Sequence, residues 1–486
     1  MTAVHRALRA DRVEPEAAGP PTRWTWAAYA LAIPLILGLS ATMWGVPLPL
    51  TDNLTLILQA QSTSLAEILR NGFLEEELLR PFYEALYKVL FDLSGGHYYL
   101  AFQGFHVAMF AVTVLLCVTA LRVRTVFDFV GAGVMLVVLL GLHTFTNVLR
   151  ELPIIVVTSC ALAMTLAFAE RSNPWRDGLA ALNLVVAMFY VEIGLLVWVI
   201  HAAAFICGRR GLSRTGLGLV TAVFASYFVL RFLVLPAGAP SLFPRYTGVG
   251  FSIVDEEELL RRFGDRAVVI YAYNVFASIA SVLFSEPRGG VFQFTRRLLE
   301  GELRPWMWLN VVSSMAMTGC VAWFLLSVRP NWRRWVFSRE QAMVLVALAV
   351  LVANSVISYP YSRDVTMSPG GVCYAIAAGT VISSLLGRAG TLSAAQRAVM
   401  TAVVLLISVT WSLRTIALTY TLRTAAFIHR NEWVGAEQWL REVGRFPTDE
   451  RGVALMRTLR REALSFSIPN PGIAQPYGER YLGSGF

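Results

Sequence analysis

The chain has 486 residues, of which 56% are apolar and only 15% charged, with a formal net charge of +9. Soluble domains are about half apolar and about a quarter charged, so an ordinary water-soluble domain is excluded. The composition instead describes a polytopic membrane protein in which several runs approach the roughly 20 apolar residues that cross a bilayer.

The positive charge is almost wholly arginine, Lys88 being the single lysine. That bias reads as codon usage rather than as a nucleic-acid footprint, so no nucleic-acid partner is expected. Arginine remains the better bidentate phosphate binder at particular positions. The five cysteines, Cys117, Cys160, Cys207, Cys320 and Cys373, sit in or beside apolar runs without metal spacing and read as small packing residues.

Residues 1–23 carry Arg6, Arg9, Arg12 and Arg23 ahead of the apolar run Trp24–Gly45. That run is too long for a signal peptide and no small-residue cleavage site follows. It reads as an uncleaved first helix with a cytoplasmic N-terminus. Arginines in the short loops orient the rest. The second span, about Tyr99–Leu121, returns to Arg122 and Arg124. The third, Val126–His143, leads to a short outer loop. The fourth, Pro153–Ala169, returns to Arg171 and Arg176. Leu179–Cys207 has arginines at both ends, which implies an even number of crossings. It reads as a tight pair of short helices turning near Glu192, with a single tilted helix as the competing reading.

The seventh span is Thr215–Leu235. The apolar run Ala267–Phe284 within the polar interval 236–305 is placed at the outer interface or as a re-entrant element, because a crossing there would put Arg333, Arg334 and Arg339 outside. Spans near Trp306–Val328, Gln341–Ile357, Gly371–Leu386 and Val399–Leu418 complete about 11 crossings in all. The expected fold is an all-α transmembrane bundle over 24–419, with a first outer loop at 47–98 and a large one at 236–305. An outward-facing tail at 420–486 is expected to form helices around Asn431–Val443 and Glu450–Leu464. The sizeable polar regions then share one face, as an enzyme at the outer leaflet would need.

Candidate chemistry gathers on that face. Asp52 follows the Pro-rich exit Pro47–Pro49 and reads either as a general base or as a helix cap beside Asn53. Arg80, ahead of Pro81 at a helix start, reads as a bidentate phosphate clamp or as a snorkelling interfacial arginine. His106 inside the second span, and His143, Arg150 and Glu151 around the short outer loop between the third and fourth spans, read as site groups or as satisfied polar residues at helix ends. Glu192 is an intramembrane acid and so a site candidate. It lies at the outer turn if the hairpin holds, and it needs a partner such as His201 if a single helix is right. Arg245 precedes Tyr246 and Asn274 in the large outer interval. Tyr361 and Arg363 lie in a compact polar loop, where Arg363 reads as a ligand for phosphate or saccharide, or as the ion-pair partner of Asp364. No Walker, GxGxxG, HExxH or GxSxG motif is present, so ATP-driven transport and serine or zinc hydrolysis lose their usual support.

The run Arg80-Pro81-Phe82-Tyr83, Leu90-Phe91, Gly95-Gly96-His97-Tyr98-Tyr99, Phe102-Gln103 and His106 resembles a pattern of bacterial GT-C class membrane glycosyltransferases. Tyr190-Val191-Glu192-Ile193-Gly194 and the loop Tyr361 to Asp364 are similar to further stretches of that family. The resemblance implies a polyprenyl-phosphate-linked sugar as donor, a saccharide, lipid or protein acceptor, a bacterial inner-membrane location, and a catalytic acid in the first outer loop, which maps to Asp52. On the residue readings above, Arg80, Arg363, His106 and Arg245 are assigned to donor or phosphate binding. On the same readings, Asn53, His143, Arg150, Glu151, Glu192 and Tyr361 are assigned to acceptor binding or support. Many relatives carry an acid pair where this chain has Asp52-Asn53, so a divalent metal cofactor is not supported. A lipid-linked saccharide flippase would place its polar residues near mid-membrane in paired broken helices, and an inactive GT-C-like scaffold would tolerate Asn53.

Overall fold

The computed structural model describes residues 20–74, 79–148, 154–235, 246–249, 252–264, 267–284, 291–328, 335–359, 361–362, 365–442, 444 and 446–470, with the side chains of 51–53 and 361–362 among those outside the description. Arg150, Glu151, Arg245, Arg363 and Asp364 lie outside the described residues, as do Glu75–Glu77.

Seven helices are long and apolar enough to span a bilayer: Arg23–Trp44, Tyr98–Leu121, Arg214–Val234, Pro305–Ser327, Arg339–Ile357, Val365–Thr391 and Ala394–Glu432. Shorter helices run beside them. In chain order the elements are α1 (Arg23–Trp44), α2 (Thr51–Ser62), α3 (Leu65–Leu74), α4 (Pro81–Leu93), α5 (Tyr98–Leu121), α6 (Val126–Gly141), α7 (His143–Val148), α8 (Ile154–Ala167), α9 (Pro174–Tyr190) and α10 (Leu196–Ile206). They continue with α11 (Arg214–Val229), α12 (Glu256–Phe263), α13 (Ala267–Leu283), α14 (Val291–Leu299), α15 (Pro305–Ser327) and α16 (Arg339–Ile357). The last four are α17 (Ser368–Gly387), α18 (Ala394–Glu432), α19 (Ala436–Glu442) and α20 (Glu450–Leu464).

The helix ends sort onto two sides. At the arginine-rich end, Arg122 and Arg124 share the Glu170 carboxylate at 2.8 and 2.7 Å. Arg339, at the start of α16, donates to the Ala120 carbonyl that closes α5. Arg209, after α10, donates to the Phe337 carbonyl, and Thr22 donates to the Arg124 carbonyl. Asp177 at the start of α9 accepts from Ser213 at the start of α11. The loop arginines that oriented the sequence therefore meet on one side.

The same contacts resolve 179–207 as a hairpin. Helices α9 and α11 start side by side at Asp177 and Ser213, so α10 returns from Glu192 to Arg209. Val191 breaks the first helix in an extended conformation, φ −153° and ψ 144°. A Cβ on Gly194 would lie 2.1 Å from the Ala187 carbonyl oxygen, so the turn folds back onto α9 where only glycine fits.

Helix α17 is the centre of the bundle, buried along nearly all its length. It closes on α6 through paired glycines. A Cβ at Gly131 would lie 2.5 Å from the Gly379 carbonyl oxygen, and one at Gly379 would lie 2.7 Å from that of Gly131. Small residues at such crossings let backbones approach where lipid tails remove the hydrophobic driving force between helices. Helix α13 enters from the end opposite the arginines. Asn274 donates to the Tyr359 carbonyl beyond α16, and the Leu283 carbonyl accepts from Thr318 midway along α15.

Three expectations change. Besides the helices, a small three-stranded sheet joins β1 (Tyr246–Val249), β2 (Ser252–Asp255) and β3 (Tyr361–Ser362), with Gly248 opposite Tyr361 in parallel pairing. These strands are too short to show a period of two in sequence. The amphipathic stretch after Asp52 divides into α2 and α3 at Thr63, whose backbone is extended. Helix α18 passes 419 unbroken and runs 39 residues to Glu432, roughly 58 Å at 1.5 Å per residue. That exceeds a hydrocarbon core of about 30 Å, so its last turns take in Asn431 and Glu432, and the tail helix expected around Asn431–Val443 narrows to α19, Ala436–Glu442. The Trp433 indole then donates to the Leu48 carbonyl at 2.8 Å, and the Phe466 ring lies edge-on to Tyr99 at 4.6 Å.

Candidate functional site

At the end opposite the arginine cluster, three polar side chains converge from elements far apart in sequence. Arg80 sits immediately before α4, where Pro81 takes the first helical position. Helices α3 and α4 meet tightly beneath it, since a Cβ on Gly72 would lie 2.7 Å from the Pro81 Cα. Phe73 and Phe82 both pack against Phe189 on α9, with centroids 5.6 and 5.8 Å away. Tyr83 stands edge-on to Tyr190 at 5.3 Å. This aromatic packing fixes Arg80 beside the hairpin turn.

Glu192 opens the 3₁₀ turn of that hairpin. Arg80 donates to Glu192 Oε2 through Nε at 2.8 Å and through Nη2 at 2.6 Å. The opposite carboxylate oxygen accepts from Arg231 Nη1 at 3.2 Å, and the same Nη1 donates to the Tyr227 hydroxyl at 2.7 Å. Arg231 lies in a single π-helical turn, Leu230–Val234, that ends α11. There the Leu235 amide reaches back to the Leu230 carbonyl. Such a turn re-aims a helix side chain and is frequent at functional sites.

The cluster is largely shielded, with side-chain exposures of 34% for Arg80, 17% for Glu192 and 10% for Arg231. Burial opposes the Arg80 charge, and the Glu192 carboxylate outweighs it, so the guanidinium pKa lies above the usual arginine value. Two guanidinium groups on one carboxylate leave the cluster net positive. Arg231 Nε is buried there without a hydrogen-bond partner. Beside the cluster, Leu233 and Val234 are exposed on the outer surface of α11. The arrangement can hold an anion whose attached chain leaves along an apolar helix face.

The sequence candidates divide against this geometry. Arg80 and Glu192 come together. The hairpin puts Glu192 at the turn and buries His201, the partner offered under the single-helix reading, within α10, and Arg80 and Arg231 take the carboxylate. Arg231 was missed, although a lone arginine four residues after Tyr227 in an apolar run was a readable signal. His106 is buried on α5 with Nδ1 2.8 Å from the Phe102 carbonyl oxygen, and His143 is buried at the start of α7. Helix α2 begins at Thr51, with Leu50 before it, so Asp52 and Asn53 fall in its first turn instead of capping it, and their side chains lie outside the description. Tyr361 lies in β3. Among the described residues, no three His, Cys, Asp or Glu side chains group as metal ligands would.

No protein-family model matches the chain, and no curated protein or solved structure matches it either.

Proposed function

We propose that the protein is a multi-pass enzyme of the bacterial inner membrane, with about 11 crossings by the loop-charge rule, that transfers a sugar from a polyprenyl-phosphate donor to an acceptor at the outer face. The observation that carries this reading is the Arg80–Glu192–Arg231 cluster, a shielded and net-positive seat beside an exposed apolar helix surface. A lipid phosphate needs those two features together.

In this reading Asp52 takes the proton from an acceptor hydroxyl as that oxygen attacks the anomeric carbon. The bond from that carbon to the phosphate oxygen breaks, and charge grows on the departing lipid phosphate. Arg80 and Arg231 stabilise that charge in this reading, as positioned donors do in lowering such a barrier. Arg363 is the further candidate for the same phosphate.

The test is mass spectrometry of lipid-linked sugars in a deletion strain complemented with Asp52→Asn, Arg231→Gln or wild-type chain. An accumulating polyprenyl-phosphate sugar that only the wild type clears is the expected result. Clearance by the inserted, correctly folded Asp52→Asn protein removes Asp52 from the mechanism, and an unchanged lipid-sugar profile in the deletion strain removes the reaction class.

A further inference from the structure

The Glu192 carboxylate occupies the position in which a phosphate would be expected. It is gripped through both oxygens, as a phosphate monoanion would be, with Arg80 on one and Arg231 on the other. Resting on the phosphate-seat reading, we infer that Glu192 is a resident counter-ion, held by Arg80 and Arg231 in the empty site and exchanged for the phosphate of an incoming lipid.

Three features support exchange over a permanent structural bridge. Glu192 stands in a four-residue 3₁₀ turn, Glu192–Leu195, outside any long helix, so its side chain can swing without unwinding a helix. The bridge leaves a donor unused: Arg231 Nε is buried without a hydrogen-bond partner. A carboxylate presents two oxygens, whereas a phosphate presents more acceptor atoms and can engage such an additional donor. The charge also balances. A phosphodiester carries a single negative charge, as Glu192 does, so the exchange replaces one monoanion by another. When the sugar leaves, the phosphate becomes a monoester with a charge of about −1.5 to −2 at neutral pH, and the two guanidinium groups meet that added charge.

The inference fixes the sign of a mutation. If Glu192 competes with the ligand, Glu192→Gln strengthens phosphate binding, and Glu192→Asp, which keeps the charge but shortens its reach, strengthens it less. If Glu192 only props up the two arginines, both variants weaken binding.

The experiment measures binding of farnesyl phosphate and of inorganic phosphate to the full chain in nanodiscs, with thermal unfolding as the check on folding. Glu192→Gln is expected to bind farnesyl phosphate about tenfold more tightly, the factor associated with one charge-assisted hydrogen bond. Arg231→Gln and Arg80→Gln are expected to bind it at least tenfold more weakly. Should Glu192→Gln fail to fold, Glu192→Asp supplies the reading. Weaker or unchanged binding in the folded Glu192 variant, with binding still lost in the arginine variants, overturns the exchange and leaves the seat standing. Equal binding in all variants overturns both. A gain confined to farnesyl phosphate identifies a lipid ligand, and an equal gain with inorganic phosphate identifies a free anion.

Discussion

Replacing Gly194 by alanine tests the hairpin on which the geography of the site depends. The new Cβ would lie 2.1 Å from the Ala187 carbonyl oxygen, 2.2 Å from its carbon and 2.6 Å from the Met188 amide nitrogen. All three atoms belong to the backbone of α9, so no side chain can rotate to relieve the clash. The cost belongs at the upper end of the roughly 1–3 kcal/mol that overpacking brings. Gly178, near the start of the same helix, is the internal control. It is exposed, and a Cβ there meets nothing within 4 Å, so Gly178→Ala should gain about 0.4–1 kcal/mol by restricting the unfolded chain. The assay is reversible unfolding in mixed detergent and SDS micelles, comparing both variants with the parent chain. Opposite signs are the expected outcome. A Gly194→Ala protein as stable as the parent would mean that 179–207 does not turn back on itself, and Arg80, Glu192 and Arg231 would lose their common location.

Two further outcomes concern the tail. Trp433→Phe removes the indole donor to the buried Leu48 carbonyl and should cost about 1–3 kcal/mol, read locally as faster hydrogen exchange over 46–60. Unchanged exchange there would show that this bond does not hold the exit loop. Glu462 on α20 has its pKa raised, chiefly by burial, against the lowering effects of the Tyr99 backbone and His97. A carboxyl raised in the folded state adds stability below its unfolded value of about 4.3, and that stability is lost as pH climbs through the folded value. Proteolysis of the tail should therefore be slower at pH 4.5 than at pH 7. Glu462→Gln should narrow that difference, and an unaltered difference would assign the effect to another group.

Legibility in the sequence followed the range of the interaction. Arg80 and Glu192 could be found because each breaks a local rule, a guanidinium beside a helix-starting proline and an acid between apolar runs. The loop arginines placed the helix ends for the same reason, since the side on which charge rests depends on segments close by. The partner of Glu192 was not readable, because 39 residues separate it from Arg231 and 112 from Arg80. Only the hairpin turn, set by Val191 and Gly194, decides which polar groups face it. The length of α18 was also hidden. Its apolar stretch ends near Leu418, but nothing between Thr419 and Glu432 stops a helix, so the hydropathy boundary and the helix boundary part. The pairing of Tyr361 with Gly248 joins two loops that share no sequence signal.

The bond from Trp433 to Leu48 spans 385 residues, which gives the protein an order of assembly. The exit segment leading to Asp52 emerges 385 residues ahead of the indole that fastens it. Until residue 433 emerges, the backbone at Leu48 therefore lacks this bond. A chain cut after Glu432 would keep every long apolar helix and still lack the bond that ties down Leu48.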